Sequence, residues 1–219
     1  MEMFRHTRDG GASVWLSAGE ATLLRTLVIA IMELLGETRA VGEANGTGEG
    51  GQPADVLDDL DRLLAEAEAQ TAAEADADPA ATPRLPEDPV LARLLPDAYA
   101  DDPRAAAEFR KYTESSLREA KKYFAQTLLD TLPPKGGRVR LTGDQARDWL
   151  RTLNDVRLMF GVRLEVTEDF EEQLAALTPG DPKITAFEVY GWLGAVQESL
   201  VQALARLADA ARQSKTTSR

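Results

Sequence analysis

A tract of glycine, proline and acid interrupts this chain and limits what can be built from it. Residues 36–51, GETRAVGEANGTGEGG, hold six of the 16 glycines and no hydrophobic period. Such a stretch buries too little apolar surface to offset the entropy of ordering it, so the sequence predicts a flexible linker. Six of the 11 prolines then fall between residues 79 and 103, where any long helix is broken. Between these tracts, residues 55–77 read as an Ala- and acid-rich helix with Val56, Leu57, Leu60, Leu63 and Leu64 on one stripe, able to dock by that stripe or to fray. The core must therefore come from the chain on either side of 36–86.

Outside the tract the hydrophobic period is helical. Apolar residues three and four apart predict helices over 18–37, 103–131, 143–160, 168–177 and 185–212. In the last, Phe187, Tyr190, Leu193, Val196, Leu200, Leu204 and Leu207 form a core-facing stripe. Asp88-Pro89 and Asp102-Pro103 each set an N-cap acid before a proline suited to the first helical position, which predicts two further helix starts.

One motif occurs twice. Val14-Trp15-Leu16-Ser17-Ala18-Gly19-Glu20 and Val139-Arg140-Leu141-Thr142-Gly143-Asp144-Gln145 both run from an alternating strand into a capping box. Both strands are expected in one small sheet, with 3–7 forming a hairpin around Asp9-Gly10-Gly11. The fold class is mainly α: a helical bundle with a small β-hairpin or three-stranded sheet. Residues 1–219 are read as a single mainly helical domain, with 36–86 inserted and 213–219 a disordered tail.

The formal charge of -12 is unevenly spread. Residues 37–102 hold 17 Asp+Glu and four Lys+Arg, while residues 103–163 hold 13 Lys+Arg and seven Asp+Glu. A basic half is thus concealed in an acidic protein. On the 103–131 helix, Arg104, Lys111, Arg118 and Lys122 fall on one side, opposite Phe109, Ala120, Phe124 and Leu128. Such a row suits a phosphate backbone or an acidic protein surface, and an ordinary solvated face is the simpler alternative.

Residue usage excludes much chemistry. With no cysteine and one histidine, His6, the chain lacks disulfides, thiol nucleophiles, iron–sulfur ligands and His-rich metal centres. Gly136-Gly137 lacks the Lys and Ser/Thr of a phosphate loop. No catalytic residues, metal or cofactor are expected. The most apolar run, 23–35, spans 13 residues and contains Arg25 and Glu33, so neither signal peptide nor membrane span is read and a cytoplasmic protein is expected.

Longer motifs carry a family resemblance. They are Asp88-Pro89-Val90-Leu91-Ala92-Arg93-Leu94-Leu95-Pro96-Asp97-Ala98-Tyr99, Asp101-Asp102-Pro103, Glu108-Phe109-Arg110, Trp149-Leu150, Leu153-Asn154-Asp155-Val156-Arg157-Leu158, Gly161-Val162-Arg163-Leu164 and Tyr190-Gly191-Trp192-Leu193. In these the chain resembles the actinobacterial AosR-type family of oxidative-stress transcriptional regulators, first catalogued as a domain of unknown function. The resemblance covers residues 4–204 apart from 36–86 and implies a cytoplasmic regulator, often encoded beside the Clp adaptor. It further implies an alternative sigma factor as partner and, in some members, an oxidation-sensing cysteine pair. A thiol–disulfide switch needs two thiols, and this chain has none.

The leading expectation is a non-enzymatic regulator acting by contact with a sigma factor or RNA polymerase, with the acidic segment covering the basic helix until a partner displaces it. Direct DNA binding by a winged-helix-like unit is the alternative, with Arg147, Arg151 and Asn154 facing outward. A third reading is an uncharacterised enzyme or Clp-proteolysis accessory protein, with Arg110, Arg157 and Arg163 around an anion. The candidate partner-binding residues are Arg104, Arg110, Lys111, Arg118, Lys122, Asn154, Arg157 and Arg163. Arg157 borders an apolar seam and needs a partner, with Asp155, Glu108 or an acidic ligand as candidates.

Overall fold

The computed structural model describes residues 3–7, 10–36, 88–99, 102–181 and 183–217. The expected acidic helix over 55–77, its autoinhibitory contact and the linker beyond Gly36 lie outside the described residues. Three strands and six helices are described: β1 Arg5–His6, β2 Ala12–Leu16, α1 Ala18–Leu34, α2 Pro89–Leu94, α3 Pro103–Thr131, β3 Gly137–Leu141, α4 Gly143–Arg163, α5 Phe170–Ala176 and α6 Lys183–Thr217. The chain is mainly helical with one antiparallel sheet ordered β1-β2-β3, as the patterning predicts. The last helix runs to Thr217, past the expected end at 212. The first stops at Leu34, before Gly36 takes a left-handed φ of 85°.

The repeated motif forms the centre of the sheet. Val14 lies opposite Val139, with Ala12 opposite Leu141 and Leu16 opposite Gly137. Each strand enters its helix through a reciprocal cap. Glu20 N donates to Ser17 Oγ at 3.2 Å and Ser17 N to Glu20 Oε2 at 2.8 Å. Gln145 N donates to Thr142 Oγ1 at 3.2 Å and Thr142 N to Gln145 Oε1 at 2.9 Å. Because the strands are antiparallel, each cap lies beside the start of the other strand, and only glycine leaves room there. A Cβ on Gly136 would stand 2.6 Å from the carbonyl carbon of Ser17, and one on Gly11 1.9 Å from the carbonyl oxygen of Leu141.

The chain divides into two compact units. The first, Met1–Ile31, Ala120–Arg157 and Val189–Arg219, contains the sheet. Its core gathers Leu24, Leu27 and Val28 of α1, Leu128 of α3, Trp149 and Leu153 of α4, and Leu193 and Leu200 of α6. Trp149 is fully enclosed; its Nε1 donates to Thr131 Oγ1 at 2.8 Å and its ring meets Phe4 edge-on at 5.8 Å. Phe4 N in turn donates to Ser199 Oγ at 3.2 Å, joining the start of the chain to α6.

The second unit is Met32–Glu119 and Leu158–Glu188. Its buried residues include Val90, Leu94, Leu95, Ala106, Phe160, Leu164 and Phe187. Both Asp-Pro pairs act as caps. Asp88 Oδ1 accepts from Val90 N at 2.6 Å and Leu91 N at 3.2 Å, and Asp102 Oδ1 accepts from Arg104 N at 3.1 Å and Ala105 N at 3.0 Å.

Candidate functional site

In the second unit, α3 is turned relative to the expectation from its sequence. Ala106 and Arg110 face inward, while Phe109, assigned to the packing side, is 44% exposed. Arg110 is only 6% exposed; its Nη2 reaches Asp97 Oδ1 at 2.5 Å and the Leu95 carbonyl at 3.3 Å, and its Nη1 reaches Glu114 at 3.2 Å. These bonds fix the segment after α2 to α3. Burial alone would lower the Arg110 pKa, but the bonds to Asp97 and Glu114 outweigh it and hold the guanidinium above its ordinary value. Arg110 therefore acts as an internal clasp and is not an exposed cation, while still lining the adjoining cleft.

That clasp leaves an apolar cleft of about 230 Å³, lined by Leu95, Pro96, Ala98, Phe109, Thr113 and Leu117. Tyr99 meets Phe109 edge-on at 5.9 Å and is itself half exposed. Tyr112, on the same helix, is 77% exposed, and Leu117 is also exposed. Four large apolar side chains thus reach solvent within one unit. The sequence carried one signal of this, since Phe109, Tyr112 and Leu117 exceed what a single stripe on α3 can bury.

The predicted basic row is only partly available. Arg104 and Lys111 are exposed, whereas Arg118 bonds Glu114 at 2.8 Å and Lys122 is half-buried. Asn154 is exposed on α4. Arg163, at 3.6 Å from Asp88 Oδ2, steadies the carboxylate that caps α2. Arg157 does not form the expected ion pair, because Asp155 binds Lys121 at 2.7 Å instead. Its guanidinium donates to Gln197 Oε1 at 2.7 Å and to Tyr190 Oη at 3.4 Å, and lies 5.1 Å from the Tyr190 ring centroid. Its Nε is buried without a partner. Arg110, Arg157 and Arg163 therefore hold three separate partner sets.

Two of the outward residues of α4 are also engaged. Arg147 pairs with Asp144, and Arg151 pairs with Asp148 at 3.0 Å while lying over Phe124 at 4.6 Å. Among the described residues, no group of three or more His, Asp or Glu could hold a metal, and no helix is long and apolar enough to cross a membrane.

Residues 1–204 match the family described as Domain of unknown function (DUF2017). The chain belongs to this family. It is 35% identical over 198 residues to an AosR protein of Mycobacterium leprae, covering 84% of this chain and 78% of that protein. It is 42% identical over 133 residues to the oxidative stress regulator AosR of Mycobacterium tuberculosis, covering 54% of this chain and 59% of that protein. The same figures hold for the oxidative stress regulator AosR of Mycobacterium bovis. No solved structure matches the chain.

Proposed function

We propose that this DUF2017 protein is a cytoplasmic transcriptional regulator that acts by contact with a sigma factor or RNA polymerase, as a binding protein without catalysis of its own. The names of its AosR relatives support the regulatory role. The surface of the second unit supports contact as its means. Tyr99, Phe109, Tyr112 and Leu117 expose apolar area beside a cleft, and aromatic anchors next to a pocket are the residues on which protein interfaces most depend. Arg104 and Lys111 supply cations on the same helix for an acidic rim on the partner.

The test is co-elution of the purified chain with purified mycobacterial polymerase and its alternative sigma factors. The wild-type chain is expected to form a complex. Phe109→Asp combined with Tyr112→Asp is expected to weaken it at least tenfold, and Tyr112→Asp alone, at a side chain already mostly in water, is expected to weaken it with an unchanged melting temperature. A complex indifferent to both substitutions would refute the assignment of this surface.

A further inference from the structure

The sheet of the first unit has one face in the core and one in water. Val14, Leu16, Val139 and Leu141 are buried, and the alternate residues point outward. On that outer face Trp15 stands opposite Arg138, and Ser13 lies between Arg140 on β3 and Arg5 on β1. Directly opposed residues on one face have Cβ atoms about 5 Å apart, so three arginines flank one tryptophan within two adjacent rows. Trp15 is 51% exposed. Among the described residues it has no ring partner, and Arg5, Arg138 and Arg140 have no carboxylate partner.

A core-forming role does not account for this pattern. An exposed indole in a strand costs solubility, and three like charges on adjacent strands repel one another. The arrangement suits a ligand that brings both a flat π-face and regular negative charge. The unit that carries it is also the basic one: its residues include 15 Lys+Arg against nine Asp+Glu, in a chain whose total is -12.

We propose that the outer face of the β1-β2-β3 sheet binds single-stranded nucleic acid, with a base stacked on Trp15 and phosphates held by Arg5, Arg138 and Arg140. An exposed aromatic on an antiparallel sheet offers a stacking platform to an unpaired base, and duplex DNA keeps its π-faces inside the stack. Phosphates spaced along a strand match Arg138 and Arg140 on β3, a strand about 17 Å long, with Arg5 on the short β1 across the sheet. This surface lies in a different unit from the one assigned to protein contact and stands independently of it.

Fluorescence anisotropy of the full chain with labelled dT12, U12 and a 12-base-pair duplex tests the proposal. Binding to a single strand is expected to weaken about 20-fold between 50 and 200 mM salt, the slope for three neutralised phosphates. Trp15→Ala is expected to lose at least fivefold, Trp15→Phe to retain most of the binding, and Arg138→Ala with Arg140→Ala to flatten the salt dependence. Trp15→Thr, which keeps the strand propensity, serves if the alanine variant folds poorly. No binding at 50 mM salt, wild-type binding by Trp15→Ala or Trp15→Thr, tighter binding of the duplex, or displacement by polyglutamate as effectively as by dT12 would each overturn it.

Discussion

Gly136 and Gly11 are the residues whose identity the sheet fixes most tightly. Gly136 has a φ of 71°, and its missing Cβ would press on the backbone of Ser17 and Ala18. Gly136→Ala should cost about 3 kcal/mol in urea unfolding, whereas Gly10→Ala, with φ 85° but open space around it, should cost about 1 kcal/mol. Equal losses would mean that only backbone strain matters there. Asp155 gives a second residue-scale prediction. Burial raises its carboxyl above 3.8, and Lys121 only partly offsets this. A carboxyl raised in the folded state binds its proton more tightly there than when unfolded. Its contribution to stability is then fullest below the unfolded value and is lost as pH rises through the folded one. The stability difference between wild type and Asp155→Asn, measured by urea titration, should therefore shrink from about pH 4 to about pH 7. A difference that grows over that range would contradict the burial. The sequence marked Arg157 as needing a partner and Arg163 as a candidate contact residue, but pointed to the true partner of neither. Gln197 and Asp88 are 40 and 75 positions away, and only the fold brings them near.

Elements were the most legible scale, because their signals are local. The two capping boxes and the two Asp-Pro starts rest on residues within four positions, and each forms as the sequence predicts. Ser17→Ala and Thr142→Ala should each cost about 1 kcal/mol. Asp88→Ala should cost more, about 2 kcal/mol, since it removes a buried cap and leaves Arg163 without its carboxylate. Calorimetry of the three variants checks the order. The rotation of α3 was not legible. A helical wheel assigns arginine to water and phenylalanine to the core, yet Arg110 finds two carboxylates and a carbonyl inside while Phe109 has no such constraint. The partners that invert the assignment lie on a neighbouring segment, Leu95 and Asp97, whose position depends on tertiary packing.

For the whole molecule, composition excluded more than it assigned. It ruled out a thiol switch, which sets this chain apart from any cysteine-dependent sensing by an oxidative stress regulator. Treatment of this chain alone with the thiol oxidant diamide, removed before mixing, should accordingly leave partner affinity unchanged, and a change under those conditions would contradict the absence of a thiol switch in the chain. The overall charge concealed a basic, sheet-bearing unit and an acidic unit whose exposed aromatics face water. The aromatic surface was legible only as an excess of large apolar residues on α3, and the sheet face not at all, because exposure depends on which residues the core omits. The decisive measurement is hydrogen–deuterium exchange of the full chain, alone and with purified polymerase carrying an alternative sigma factor. Contact through the second unit predicts added protection over residues 95–99 and 102–117. A stable complex that protects only other segments, or the absence of any complex, would contradict it.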